Sequence, residues 1–166
     1  MFDLSGMTAL VTGASGGIGS AIARALAAQG ARLALSGSNQ GKLAAFAGEV
    51  GGDHVPLVCN LGDAAAVDAL VPQAVEALGG RLDILVNNAG VTRDNLLMRM
   101  KDEEWDEVIR INLEAAFRLM RAAAKPMMKQ RFGRIISVTS VVGVTGNPGQ
   151  ANYAATKAGL IGMTKS

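Results

Sequence analysis

The sequence predicts an α/β fold, a doubly wound parallel sheet with helices on both faces. Three observations carry this. Strand-like apolar runs alternate with helical patterns along all 166 residues. The first of these runs leads through a glycine-rich turn into a helix. No internal repeat, low-complexity segment or interdomain linker interrupts the pattern. Alternation of this kind implies right-handed crossovers between parallel strands.

The strands are expected over 9–12, 32–36, 55–59, 84–87 and 134–138, and the helices over 18–29, 41–50, 64–78, 103–130 and 152–165. Ala9-Leu10-Val11 is a short apolar run of the kind that forms a buried parallel strand. The turn that follows is Thr12-Gly13-Ala14-Ser15-Gly16-Gly17-Ile18-Gly19, and the alanine-rich stretch after it forms a helix. Strand, glycine turn and helix make up the first half of a dinucleotide-binding unit. Gly13 permits the tight turn. Gly17 and Gly19 let backbone approach a pyrophosphate and let helix pack on strand. The free N–H groups at the helix start attract phosphate. A glycine-rich loop can also be only a turn, and it is the β-α-β pattern around this one that favours nucleotide binding.

Later elements carry their own signals. Asp102 is the expected N-cap of the long helix, with Glu103 and Glu104 in its first turn. Pro126 is expected to kink or end that helix. Val108, Ile109, Phe117 and Met120 form one apolar stripe on it, and Ile111, Ala115, Leu119 and Ala122 form a second. One stripe would satisfy a sheet; the other would face a partner subunit or hold small residues comfortably in water.

Composition narrows the class. Hydrophobic residues make up 49% and charged residues 18%, which is globular rather than disordered. The net charge is +2 with no basic block, so nothing points to nucleic acid. Cys59 is the sole cysteine and lies in the apolar run Leu57-Val58-Cys59, where an inert buried thiol is expected. His54 is the sole histidine; with no second ligand nearby it reads as a solvated loop residue, and no metal is expected. No run approaches the ~18 apolar residues of a membrane span, and the first residues lack a signal-peptide pattern, so a cytoplasmic protein is expected.

The chemistry concentrates near the end of the sequence. Tyr153 and Lys157 are four residues apart, about one helical turn, so phenol and ammonium share a face. A cation beside a phenol favours the phenolate, which makes a tyrosine usable for proton transfer near neutral pH. Ser140 lies thirteen residues upstream of Tyr153, after the last strand. Taken singly, Ser140 could merely end a strand and Asn112 could merely cap or bend its helix.

Taken together, these signals resemble the short-chain dehydrogenase/reductase family. The motifs that carry the resemblance are Gly13, Gly17 and Gly19; Asn87-Asn88-Ala89-Gly90 after the fourth strand; Asn112 in the long helix; and Ser140, Tyr153 and Lys157. The resemblance covers the whole chain and implies a single Rossmann-type dinucleotide-binding domain over 1–166. It implies catalytic roles for Asn112, Ser140, Tyr153 and Lys157. Tyr153 would donate a proton to the forming alkoxide, and Ser140 would stabilise the charge on the carbonyl oxygen. Lys157 would tune Tyr153 and hold the nicotinamide ribose, and Asn112 would place a water linking Lys157 to solvent. It implies cofactor contacts from Gly13, Ser15, Gly17, Ile18, Gly19, Ser36, Ser38, Asn60, Leu61, Asn87, Ala89, Gly90, Tyr153 and Lys157.

The second strand ends Leu35-Ser36-Gly37-Ser38-Asn39 without the carboxylate that would select NAD, so NADP(H) is the expected cofactor. The stretches 90–100, 102–106 and 150–159 resemble the branch of the family that reduces 3-oxoacyl thioesters on acyl carrier protein, and related reductases such as acetoacetyl-CoA reductases share much of them. In that branch Arg131, beside Lys129 and Arg134, matches a carrier-contacting position, and a homotetramer is implied. The sequence stops at Ser166, inside the helix bearing Tyr153 and Lys157. The resemblance therefore implies a domain lacking its last strands, with the fifth strand left as an edge, and poor solubility and no activity for these 166 residues alone.

Overall fold

A computed structural model describes residues 2–166. It contains β1 (Thr8–Thr12), α1 (Gly17–Ala28), β2 (Arg32–Gly37), α2 (Gln40–Val50), β3 (Val55–Val58), α3 (Ala64–Ala77), β4 (Ile84–Asn87), α4 (Asp102–Ile109), α5 (Ala115–Lys129), β5 (Arg134–Ser137), α6 (Val142–Thr145) and α7 (Ala151–Lys165). A 3-10 turn lies at Leu97–Arg99 and a π-helical turn at Arg110–Glu114. The sheet is parallel with order β3-β2-β1-β4-β5, so β3 and β5 form its edges.

The period of two along a strand divides the core between the two faces. Leu10 and Leu85 point to one side, where Val67, Leu70, Leu119 and Ala123 of α3 and α5 cover them. Val11, Leu35 and Val86 point to the other, where Ala23, Leu43 and Phe46 of α1 and α2 pack. All five residues of β1 are buried, which is why its centre, Ala9-Leu10-Val11, is continuously apolar rather than alternating. The strand order reverses between β1 and β4, and Thr12, Gly37, Asn87 and Ser137 end their strands at the same carboxyl end of the sheet. A crevice at such a switch point is where open α/β sheets bind ligands.

The long helix departs from expectation. It is not continuous over 103–130 but is broken by the π turn that carries Asn112. Such turns insert an extra residue and often mark functional sites. Asp102 is the first helical residue rather than the N-cap. Lys101 takes that position, and the Glu104 carboxylate accepts its N–H at 2.9 Å. Pro126 is accommodated within α5, three residues before the helix ends at Lys129.

Of the two stripes, the one containing Ala115 and Leu119 faces the sheet, continued by Ala123 and Met127. On the other, Val108 is buried, while Phe117 is exposed beneath the Arg121 guanidinium, 5.1 Å from its ring centre. His54 is more than a solvated loop residue. Its Nδ1 accepts the Leu33 N–H at 3.2 Å and so ties the start of β3 to β2.

Candidate active site

The carboxyl ends of β1, β2 and β4 open into a cavity of about 680 Å³. Gly13, Ser15, Gly17, Ile18, Gly19, Ser36, Ser38, Asn60, Leu61, Ala89 and Gly90 all line it. Its glycines divide by what a side chain would meet. A Cβ on Gly19 would lie 2.0 Å from the Gly13 carbonyl oxygen, and Gly13 itself has φ +64° and lies against Ala89. These two are required by the turn itself. A Cβ on Gly17 would meet nothing within 4 Å, so the fold does not require a glycine there. What its absent side chain preserves is open space in the cavity that it lines. Gly16 caps α1 with no side-chain acceptor, so no side chain satisfies the first N–H groups of the helix. A backbone cradle with free donors at a helix start fits a pyrophosphate.

The rim at β2 holds Ser36, which the sequence reading singled out, and Lys42, which it missed. Ser36 is only 2% exposed, and its hydroxyl has no hydrogen-bond partner among the described residues, yet it lines the cavity. Asn39 is committed to the fold, since its Oδ1 caps α2 by accepting the Lys42 N–H at 2.9 Å. Lys42, one helical turn further on, also lines the cavity and is the only charged side chain to do so among the described residues. No carboxylate among the described residues lines it. The signal was spacing: Lys42 follows Ser38 by four positions, across a helix start that periodicity alone did not locate to the residue.

Asn60 closes its own turn by accepting the Gly62 N–H at 3.0 Å. Cys59 is buried at the cavity wall, where burial first, then the Asp63 charge, pushes its thiol pKa up, consistent with an inert thiol. Asn87 lies below the cavity rather than in its wall. It borders a separate void of about 10 Å³ with Asn112, and its amide has no partner among the described residues.

The catalytic candidates come from the neighbouring elements. β5 ends at Ser137, and the chain turns through Ser140 into α6. Ser140 Oγ accepts the Val142 N–H at 3.2 Å, which leaves its own O–H free to donate. α6 packs tightly on α7: a Cβ on Gly143 would fall 2.7 Å from the Lys157 carbonyl carbon. Lys157 is 4% exposed and donates from Nζ to the Val138 carbonyl at 2.7 Å. Its Nζ lies 5.5 Å from the centre of the Tyr153 ring. Burial lowers the Lys157 pKa from its ordinary range. The phenol of Tyr153 has no hydrogen-bond partner among the described residues.

Asn112 is 2% exposed, and its side chain is engaged with protein. Oδ1 accepts the Val91 N–H and Nδ2 donates to the Val91 carbonyl, both at 2.8 Å, with a longer contact to Thr156 Oγ1 at 3.4 Å. The amide thus splints the π turn to the loop after β4 and to α7.

The fold is an α/β domain whose parallel sheet opens at its carboxyl end into a glycine-lined cavity, with Ser140, Tyr153 and Lys157 on the elements that follow β5. The sequence matches the short chain dehydrogenase family over residues 7–166, and the chain belongs to that family. It is 57% identical over 166 residues to a 3-oxoacyl-[acyl-carrier-protein] reductase of Rickettsia bellii, covering 100% of this chain and 67% of that protein. It is 52% identical over 164 residues to the Escherichia coli reductase of the same name, covering 99% of this chain and 67% of that protein. Nodulation protein G of a Rhizobium species is 58% identical over 167 residues, with 100% and 67% coverage.

Proposed function

We propose that the protein reduces the ketone of 3-oxoacyl thioesters on acyl carrier protein to the 3-hydroxyacyl form, using NADPH, in fatty-acid synthesis. The observation that carries this reading is identity of 52–57% to reductases of that name across the chain, with Ser140, Tyr153 and Lys157 all present. Bound in the cavity, the nicotinamide cofactor supplies a hydride to the carbonyl carbon. The protein's residues handle the oxygen and the proton. The free O–H of Ser140 donates to the carbonyl oxygen and stabilises the charge that develops there. The Tyr153 phenol, unpartnered in the protein, gives that oxygen its proton. Lys157, held by the Val138 carbonyl, keeps further N–H donors for the ribose hydroxyls and places a cation beside the phenol. Asn112 is assigned a positioning role through Val91 and Thr156. A proton-linking water would need another partner, because this side chain is already engaged.

NADP(H) over NAD(H) is supported by the rim at β2. There the Lys42 ammonium and the unpartnered Ser36 hydroxyl meet no competing carboxylate, which suits a 2′-phosphate and not a bare hydroxyl. Asn60 and Leu61 line the part of the cavity suited to the adenine. We also propose a cytoplasmic homotetramer; exposed Phe117 on α5 and the exposed small residues Ala155 and Gly162 on α7 support burial of these helices between subunits. NADPH oxidation with acetoacetyl thioesters, carrier-bound and coenzyme A-bound, tests the activity. Failure to turn over either substrate by these residues within a complete chain, in a preparation that binds NADPH, would sink the assignment.

A further inference from the structure

The loop after β4 is stitched to the start of the catalytic helix, and one buried side chain does most of the stitching. Asn152 is 0% exposed and sits in the first turn of α7, directly before Tyr153. Its Nδ2 donates to the Arg93 carbonyl at 2.9 Å and, more loosely, to the Glu104 carbonyl at 3.3 Å. Its Oδ1 accepts the Tyr153 N–H at 2.7 Å. That N–H is among the donors a helix start leaves without an intrahelical acceptor. Two outer bonds run in parallel. The Asn95 N–H donates to the Gly149 carbonyl at 2.9 Å, and Gln150 Nε2 donates to Asp94 Oδ2 at 3.0 Å. The same loop begins at Gly90 and Val91, which line the dinucleotide cavity. A continuous set of bonded groups therefore leads from the cavity wall, through Arg93 and Asn152, to the backbone of Tyr153.

We infer that Asn152 is a positioning residue: it couples occupancy of the cavity to the placement of the Tyr153 phenol. This rests on the reading of the cavity as a dinucleotide site. An amide suits the task because it presents donors to two carbonyls and an acceptor to an N–H at once, which neither an aspartate nor an aliphatic side chain can do. Displacement of a reacting group by about 1 Å can cost on the order of a hundredfold in rate, so a fixed helix start matters to turnover.

Tyr153 is the only tyrosine and Trp105 the only tryptophan in the sequence, so each is its own spectroscopic probe. In protein labelled with carbon-13 at the tyrosine Cζ, NADP⁺ should move the single Tyr153 resonance. In Asn152→Ala the NADP⁺-induced shift should fall by more than half, while the NADP⁺ dissociation constant stays within about twofold. In turnover by a complete chain, kcat should drop roughly ten- to a hundredfold with little change in KM for the cofactor. Asn152→Asp keeps the acceptor for the Tyr153 N–H but sets a carboxylate against two carbonyls, and should behave like Asn152→Ala; wild-type behaviour would overturn the loop linkage. If the Trp105 emission shows that Asn152→Ala does not fold, Asp94→Ala carries the test. It cuts only the exposed outer bond and should reduce the shift by a smaller but measurable fraction. An unaltered Tyr153 response in a folded variant overturns the coupling while leaving the dinucleotide reading intact. No binding of NADP⁺ to the wild type removes both.

Discussion

Removing the Lys42 ammonium should weaken 2′,5′-ADP and leave 5′-AMP almost unaffected. The two ligands differ only in the 2′-phosphate, which the proposed geometry sets against Lys42 and Ser36. A unit pair about 4 Å apart in water is worth about 1 kcal/mol, and a phosphate ester carries a charge of about −1.5 to −2. Lys42 is exposed, so the high-dielectric figure applies, and ordering its flexible stem offsets part of the gain. The expected loss for Lys42→Ala is therefore about 1–2 kcal/mol, roughly five- to thirtyfold in Kd. Lys42→Glu turns attraction into repulsion and should cost about twice that energy. The effect should shrink toward 1 M salt, where the screening length is about 3 Å. Ser38→Asp, which adds a carboxylate to a rim that has none, should move preference toward NADH. Isothermal titration of both ligands against wild type and variants reads all of this without turnover. Equal losses for 2′,5′-ADP and 5′-AMP, or tighter binding of NADH than NADPH by the wild type, would refute the reasoning.

Within a complete chain, Tyr153→Phe should lower turnover at least about a hundredfold while cofactor binding persists, and near-normal turnover would remove Tyr153 from its role. Arg131 closes α5 at φ +54°, with its N–H donating to the Met128 carbonyl and the Phe132 N–H to the Met127 carbonyl. This is a position that favours glycine. Arg131→Gly should therefore stabilise the fold by about 0.5–1 kcal/mol in chemical denaturation. The Arg131 cluster precedes β5 and so lies at the opposite end of the sheet from Ser140. Arg131→Gly should raise KM for a carrier-bound thioester and not for a small one, and equal effects would point to folding instead. Burial, partly opposed by Asp53 and reinforced by Arg32, lowers the His54 pKa below its ordinary 6.5. The stability that neutral His54 confers is thus present above about 6.5 and is lost as pH falls through its lower folded value. His54→Gln should flatten that part of the stability curve, and an unchanged curve would rule out the Leu33 bond as its source. Asp83 is buried, and burial alone would raise its pKa, but bonds from Arg81 and Thr8 outweigh it and hold the carboxyl low. Its contribution is present above a pH of about 4 and lost on acidification below it, so Asp83→Asn should lose stability at neutral pH and titrate less steeply in acid.

Sequence patterning alone determined the sheet, the alternation of helices and the glycine turn. Each of these follows from local rules: apolar runs for buried strands, helical spacing for helices, and a glycine where φ must be positive at Gly13. The order of Ser140, Tyr153 and Lys157 was legible for the same reason, since one helical turn sets the last two on one face. What only the tertiary structure decided depends on groups distant in sequence. The π turn at Asn112 exists in the company of Val91 and Thr156, twenty-one and forty-four residues away. Lys42 becomes relevant because α2 begins where β1 and β2 open, and Asn152 because the loop after β4 returns to α7. The division of the two stripes on α4 and α5 was likewise undecidable from periodicity, because both are apolar and only the sheet's position selects which is buried. Spacing reports the faces of single elements, whereas hydrogen bonds between elements depend on where the chain brings them together.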